Sequence, residues 1–273
     1  MYETYWQLKQ RPFENAADPR FYYPSESHQA ALLKLRYAVE NRRGGALLAG
    51  PSGSGKTLVA TMLRGMLGQE FTPFVHLVFP QMSTAELLAY LADELDGGDR
   101  APGAHDLQAS VRRIERFLAA NSQKGRHAVV TLDEAHLLDG VQTFEALRLL
   151  LNFEPGGTSA LTFLLVGQPA ILPTLDRIPQ WEERLGIKCL LRPFSQQETA
   201  DYVEHRLKVA GASRSIIDTD AQPTLHALTH GIARRINRLC DLALLIGYAE
   251  ERQRLSAGHF EAVCRELVTV APE

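Results

Sequence analysis

Gly50, Gly55, Lys56 and Thr57 stand at fixed spacing inside the stretch LLAGPSGSGKTL. They fit the pattern G-x-x-x-x-G-K-[ST], whose physical task is to wrap a phosphate group. The glycines let the backbone turn tightly, so that successive N–H groups face the phosphate oxygens. A helix beginning near Lys56 adds the positive end of its dipole to the same anion. The candidate nucleotide loop is therefore Gly50, Pro51, Ser52, Gly53, Ser54, Gly55, Lys56, Thr57 and Leu58. Lys56 would reach the β and γ phosphates of ATP, and the Thr57 hydroxyl would hold Mg2+.

Cleaving a phosphoanhydride needs a second group to help hold the metal and a third to prepare water. The stretch AVVTLDEAH ends an apolar run with Asp133 and Glu134. Asp133 is placed to bind magnesium, and Glu134 to orient or deprotonate the attacking water. His136 reads as a neighbour rather than a metal ligand, because no second histidine or cysteine stands at metal spacing. Gln168 follows another apolar run in FLLVGQP; its amide suits the γ phosphate or the water, or simply a polar loop. Arg184, in QWEERLGIK, suits two jobs. One is a salt bridge to Glu182 or its neighbours, the other an arginine finger that stabilises transition-state charge in an adjoining subunit.

These residues need a scaffold, and the hydrophobic pattern supplies one. Short apolar runs at 46–50, 74–79, 128–132, 161–166 and 187–191 read as buried strands, separated by helical stretches such as TLVATMLRGML and LQASVRRIERFLAAN. That alternation predicts an α/β fold with a five-stranded parallel sheet between helices, and the phosphate-loop motif makes the expected fold that of a P-loop NTPase. Glycine-rich residues 96–106 read as a mobile surface loop. After Pro193 the strands stop. Ser195 and Glu198 have capping-box spacing, and the helical stretches that follow predict a small all-helical lid. The expected domains are 1–192, an aromatic N-terminal segment plus the α/β core, and 193–273, the lid.

Composition narrows the setting. The chain has 273 residues, with 29 Lys and Arg against 32 Asp and Glu, a formal charge of −3. A dominant nucleic-acid or membrane-surface role gains no support from that balance. No run approaches the roughly 18 apolar residues of a membrane span, so direct membrane insertion is not expected. The start MYETYWQLKQRPF has no basic stretch followed by an apolar one, unlike a secretory leader. Cys189, Cys240 and Cys264 show no CxxC spacing and read as small buried thiols in a reducing cytoplasm.

The combination of phosphate loop, Asp-Glu strand end, polar residue after the next strand and helical lid resembles an AAA+ ATPase. Within that class the chain is similar to the ATPase domain of general secretion pathway protein A, the ExeA type; transposon target-selection ATPases are more distant relatives. The likeness runs through YWQLKQRPFENAADPRFYYPSESHQAAL, LRLLLNFE, LLVGQPAIL and GIARRINRLCDLALLIGYAE. It implies that Arg234 is a second sensor on the lid touching the γ phosphate, that Gln168 is the first sensor and that Arg184 is the finger. It also implies that Phe13, Tyr23 and His28 line the adenine pocket, a stretch whose aromatics could equally serve packing. Ala233, Pro24 and Ala170 depart from the usual proline, apolar and acidic residues. The secretion proteins continue into a membrane span and a peptidoglycan-binding domain. This chain stops at Glu273, so the resemblance implies either a standalone relative or one whose partner is another polypeptide.

The expected activity is ATP binding and hydrolysis with magnesium, driving oligomer assembly or the remodelling of a partner complex in secretion or pilus and envelope assembly. A finger acting in trans implies a homo-oligomer, a ring or a filament. The expected location is cytoplasmic, peripheral to the inner membrane through a protein partner. Two alternatives stand beside this one. They are a DNA-associated regulator of the transposition type, which the acidic balance disfavours, and a nucleotide-gated scaffold with negligible hydrolysis, which the presence of Glu134 argues against.

Overall fold

The computed structural model describes residues 1–78, 81–97, 106–138 and 140–269. Residues 98–105, which make up most of the stretch read as a mobile loop, lie outside the described residues. The chain divides into two compact units. One comprises Ser27–Gly50 and Val59–Leu191; the other comprises Met1–Glu26, Pro51–Leu58 and Arg192–Glu273.

The first unit is built on five strands: β1 (Gly45–Ala49), β2 (Phe74–Leu77), β3 (Ala128–Leu132), β4 (Leu161–Gly167) and β5 (Leu185–Leu190). Their order is β2-β3-β4-β1-β5, and every neighbouring pair is parallel, as the apolar runs predicted. The three central strands are buried at every position, which is why their sequences are continuously apolar rather than alternating. At the edge, β5 exposes Gly186, Lys188 and Leu190 and half-buries Ile187. The elements α1 (Glu26–Glu40), α2 (Lys56–Met66), α3 (Thr84–Asp96), α4 (Leu107–Gln123), α5 (Gly140–Leu150), α6 (Leu172–Leu175) and α7 (Pro179–Arg184) alternate with the strands. Register places Leu48 opposite Val166 and Leu132 opposite Leu165, so the carboxyl ends of β1, β4 and β3 lie side by side. Ligands of open parallel sheets bind beyond that edge.

One core cluster fills this unit, with Trp181, Phe144 and Phe163 among its largest members. The Trp181 indole N–H donates to the Phe144 carbonyl at 2.6 Å, so the ring is buried without an orphaned donor. Gly45 is small for a reason: a Cβ there would lie 3.1 Å from Leu185 and 3.3 Å from Trp181.

The second unit carries α8 (Gln196–Val209), α9 (Ala221–Thr229), α10 (Ala233–Ala249) and α11 (Ala257–Thr269). The capping box read from the sequence starts α8: Glu198 N donates to Ser195 Oγ at 3.2 Å, and Ser195 N to Glu198 Oε2 at 2.8 Å. The aromatic N-terminal segment, expected beside the α/β core, shares this unit's core instead. Tyr2, Trp6, Phe13 and Phe21 pack with Tyr202, Leu207, Leu239 and Leu244. Arg206 anchors the segment. It is 4% exposed, and its guanidinium donates to Pro12 O at 2.5 Å, Glu14 O at 2.9 Å and Tyr202 Oη at 2.8 Å. Its Cζ also sits 4.6 Å from the centre of the Phe21 ring. A buried cation is tolerated because carbonyl dipoles and ring faces replace its water.

All three cysteines are free; Cys189 and Cys240 are buried, as expected, whereas Cys264 is half-buried. Burial pushes the Cys189 thiol up to about 11. No helix among the described residues is long and apolar enough to cross a membrane.

Candidate functional site

The glycine loop Pro51–Leu58 belongs to the helical unit. Gly53 and Gly55 take φ of 77° and 94°, a backbone region that side chains with a Cβ rarely enter. Ser54 N donates to Pro51 O at 3.2 Å, closing the turn. Lys56 is 6% exposed and folds back over the loop, its Nζ donating to Pro51 O at 3.0 Å. A buried ammonium beside left-handed glycines, at the first turn of α2, is a cradle for an anion.

Within the same unit the loop meets α10. The Arg234 amide donates to Gly53 O at 3.1 Å, and a Cβ on Gly53 would lie 2.6 Å from the Arg234 Cβ. Ile232 caps α10 without a side-chain acceptor, so the loop carbonyl supplies one of the acceptors the helix start lacks. The Arg234 side chain itself is exposed, and so are Arg235 and Arg238 on the same helix.

Two of the expected adenine-pocket residues lie in this unit's aromatic core. Phe13 is 1% exposed and serves packing, the role the sequence left open for it. Tyr23 is half-buried, its ring edge-on to Phe194 and Tyr202, with its hydroxyl 3.5 Å from Asp201. Burial first, and then Asp201 and Glu198, push its phenol above the ordinary range. His28 lies on α1 in the sheet unit, 5% exposed.

The carboxylates belong to the sheet unit. Asp133 follows β3 directly, 3% exposed, with its amide bonded to Leu77 O on the neighbouring β2. Its Oδ1 accepts the Glu134 amide at 2.9 Å, and its Oδ2 lies 3.4 Å from His76 Nε2. Glu134 takes φ 51° and ψ 35°, the left-handed region, which a glutamate enters at a cost of order 1–2 kcal/mol. The kink turns the chain at once into the short turn Ala135–Leu137.

Gln168 follows β4, which lies beside β3. Its backbone N–H donates to His136 Nδ1 at 3.4 Å, and that Nδ1 lies 3.4 Å from Glu134 Oε2. Gly167 allows that approach: a Cβ there would be 3.2 Å from the His136 amide. The structure thus brings Asp133, Glu134 and Gln168 together at one sheet edge, joined by His76 and His136. Sequence reading passed over both histidines as contributors. A polar residue inside the otherwise apolar β2, in FVHLVF, was the available signal for His76.

Arg184 ends α7 and does not pair with Glu182, which bonds Lys188. It donates to Asn152 Oδ1 at 2.7 Å and lies 3.9 Å from Glu154, with 40% of its side chain exposed. Among the described residues no cluster of three His, Cys, Asp or Glu side chains forms a protein-only metal cage. The Asp133 carboxylate is of the oxygen-donor kind that suits a hydrated hard cation such as magnesium, which keeps most of its waters.

The model of the AAA domain matches residues 39–175. General secretion pathway protein A of Aeromonas hydrophila is 35% identical over the whole of this chain, which spans 50% of that protein's length. Among solved structures, Cdc6p from Pyrobaculum aerophilum superposes with a TM-score of 0.73 at 16% identity, covering 96% of this chain and 74% of that one. The Aeropyrum pernix ORC1 protein in complex with DNA gives a TM-score of 0.70 at 18% identity, covering 96% and 69%. At such identities the structural likeness speaks for the fold.

Proposed function

The chain belongs to the AAA domain family, and on that premise we propose that it binds ATP and hydrolyses it with magnesium to assemble an oligomer or remodel a partner complex. The observation that carries the proposal is the phosphate cradle, where buried Lys56 folds over left-handed Gly53 and Gly55, in a chain that also keeps Glu134 after β3. An inert nucleotide sensor needs the cradle and has no use for the acid.

In this reading the loop Gly50–Thr57 holds the triphosphate, with Lys56 on the β and γ phosphates. Thr57 and Asp133 would hold magnesium, whose part is to neutralise phosphate charge. Glu134 accepts a proton from the attacking water as the water's oxygen bonds to the γ phosphorus. The ADP oxygen leaves on the opposite side. Gln168 and Arg234 sense the γ phosphate, and Arg184 of a neighbouring subunit neutralises developing charge. Loss of the γ phosphate then reaches α10 through the Arg234 backbone, which bonds the loop at Gly53.

The setting we propose is secretion or envelope assembly, on the cytoplasmic side and near the inner membrane through a protein partner. Its support is the identity with general secretion pathway protein A. A second reading, DNA association, draws on exposed Arg234, Arg235 and Arg238 on one face of α10. Salt-sensitive binding of duplex DNA that requires an ATP analogue would favour it; DNA-independent turnover and assembly would favour the first.

Binding and turnover of the unaltered chain, Lys56→Ala and Glu134→Gln test the activity. Lys56→Ala is expected to abolish nucleotide retention, and Glu134→Gln to retain ATP without hydrolysing it. Equal, near-zero turnover in Glu134→Gln and the unaltered chain would remove the enzymatic reading.

A further inference from the structure

We propose that His136 is a positioning residue that links Gln168 to Glu134 through a single nitrogen, so that the sensor end of β4 and the water-activating carboxylate compete for it. The proposal rests on the ATPase reading above and deepens it.

The geometry is specific. His136 sits in the turn Ala135–Leu137 with only 11% of its side chain exposed. Its Nδ1 lies 3.4 Å from the Gln168 backbone nitrogen and 3.4 Å from Glu134 Oε2. The Gln168 N–H can only donate, and a carboxylate oxygen can only accept. When Nδ1 carries a lone pair it accepts the Gln168 N–H, and Glu134 Oε2 faces another acceptor. Glu134 Oε2 is indeed buried with no hydrogen-bond donor. When Nδ1 carries the proton, the ring donates to Glu134, and the Gln168 N–H loses its acceptor. One nitrogen cannot satisfy both.

The alternatives are neutral tautomers of one ring, so the exchange needs no net charge change. Surroundings hold the ring in place for it. Gly167 approaches His136 closely: a Cβ there would lie 3.2 Å from the His136 backbone nitrogen and in contact with the ring at 3.4 Å from Nδ1. The left-handed backbone at Glu134 aims that carboxylate back toward the same turn. A shift of the Gln168 backbone toward or away from Nδ1 therefore decides whether Glu134 is held by the ring or released toward water. That is a two-state element biased from two ends, which coupling between sites requires.

Two isosteres separate this role from simple packing. Asparagine places its amide where Nδ1 stands, whereas glutamine places its amide nearer Nε2. For His136→Asn, kcat is expected within about threefold of the unaltered chain, while His136→Gln and His136→Ala lose about tenfold or more. In all three, KM for ATP and affinity for a non-hydrolysable ATP analogue are expected to stay within about twofold, because the residue is no part of the proposed phosphate cradle. Asparagine as impaired as glutamine, or no loss in either glutamine or alanine, would overturn the proposal. Glu134→Gln is measured alongside. If the unaltered chain and Glu134→Gln both show no turnover, the ATPase reading has failed; if Glu134→Gln alone is inactive while His136→Gln is normal, only this inference has.

Discussion

Gly53 and Arg234 meet backbone to backbone. The arginine amide donates to the glycine carbonyl at 3.1 Å, and there is no room at Gly53 for even a methyl group, which would come within 2.6 Å of the Arg234 Cβ. The loop proposed to hold phosphate is therefore also a part of the helical unit's packing.

Gly53→Ala should for that reason damage two properties at once. The left-handed φ alone costs of order 1 kcal/mol with a Cβ, and the intrusion on Arg234 adds about 1–3 kcal/mol. Weakened binding of an ATP analogue and a lowered Tm are both expected. Loss of binding at unchanged Tm would show that the contact with α10 carries no strain.

Arg184→Ala isolates the proposed finger. Its ties to Asn152 and Glu154 are surface contacts, worth at most about 1 kcal/mol, so stability should hardly change. Turnover should fall by about a thousandfold or more with ATP binding kept. Mixing Arg184→Ala with Glu134→Gln, each inactive alone, should restore activity, because mixed oligomers contain sites with an intact glutamate faced by an intact arginine. No recovery on mixing would rule out action in trans.

Arg206→Leu removes the donor for Pro12 O, Glu14 O and the Tyr202 hydroxyl. Two buried acceptors and one part-buried acceptor left without donors should cost about 3 kcal/mol. Arg206→Lys should recover only part of it, because an ammonium lacks the planar fork. With two tryptophans, Trp6 and Trp181, in separate units, fluorescence in a Trp181→Phe background reports the helical unit alone. An unchanged Trp6 transition in Arg206→Leu would show that the segment is held by its aromatic rings.

His127 gives an acid-sensitivity test. It is fully buried; burial first, and then the Arg42 cation, push its imidazole down to about 4. The neutral ring donates from Nδ1 to Ser159 O at 3.1 Å, while the Thr162 hydroxyl proton is shared between Nε2 at 2.8 Å and Arg43 O at 2.6 Å. The unfolded chain takes up this proton near pH 6.5 and the folded one only near 4. Its stabilisation is complete above pH 6.5 and lost on acidification to about pH 4. The full drop is about 3 kcal/mol. His127→Gln should flatten that part of the stability profile, and an unchanged slope would contradict the assignment.

What could be read in advance follows physical range. The loop Gly50–Thr57, the strand ending at Asp133 and the Ser195–Glu198 cap are local patterns, each set by residues within a few positions of one another. Gly53 against Arg234, Arg206 beneath Pro12, and His136 between Glu134 and Gln168 are meetings of distant segments, which leave no mark in local spacing. The N-terminal aromatics show the difference. Their types announced burial, but the choice of neighbour was made by a cationic side chain far along the chain.

That last arrangement bears on biosynthesis. Met1–Glu26 leave the ribosome before the sheet does, yet the helix bearing Arg206 is translated only after the entire sheet. Until then Tyr2, Trp6, Phe13 and Phe21 have nowhere to go, and a nascent chain stalled before Arg192 would trail four large rings in water. Such an intermediate is a natural client for a holding chaperone, and fragments ending near Leu191 should aggregate through their leading end.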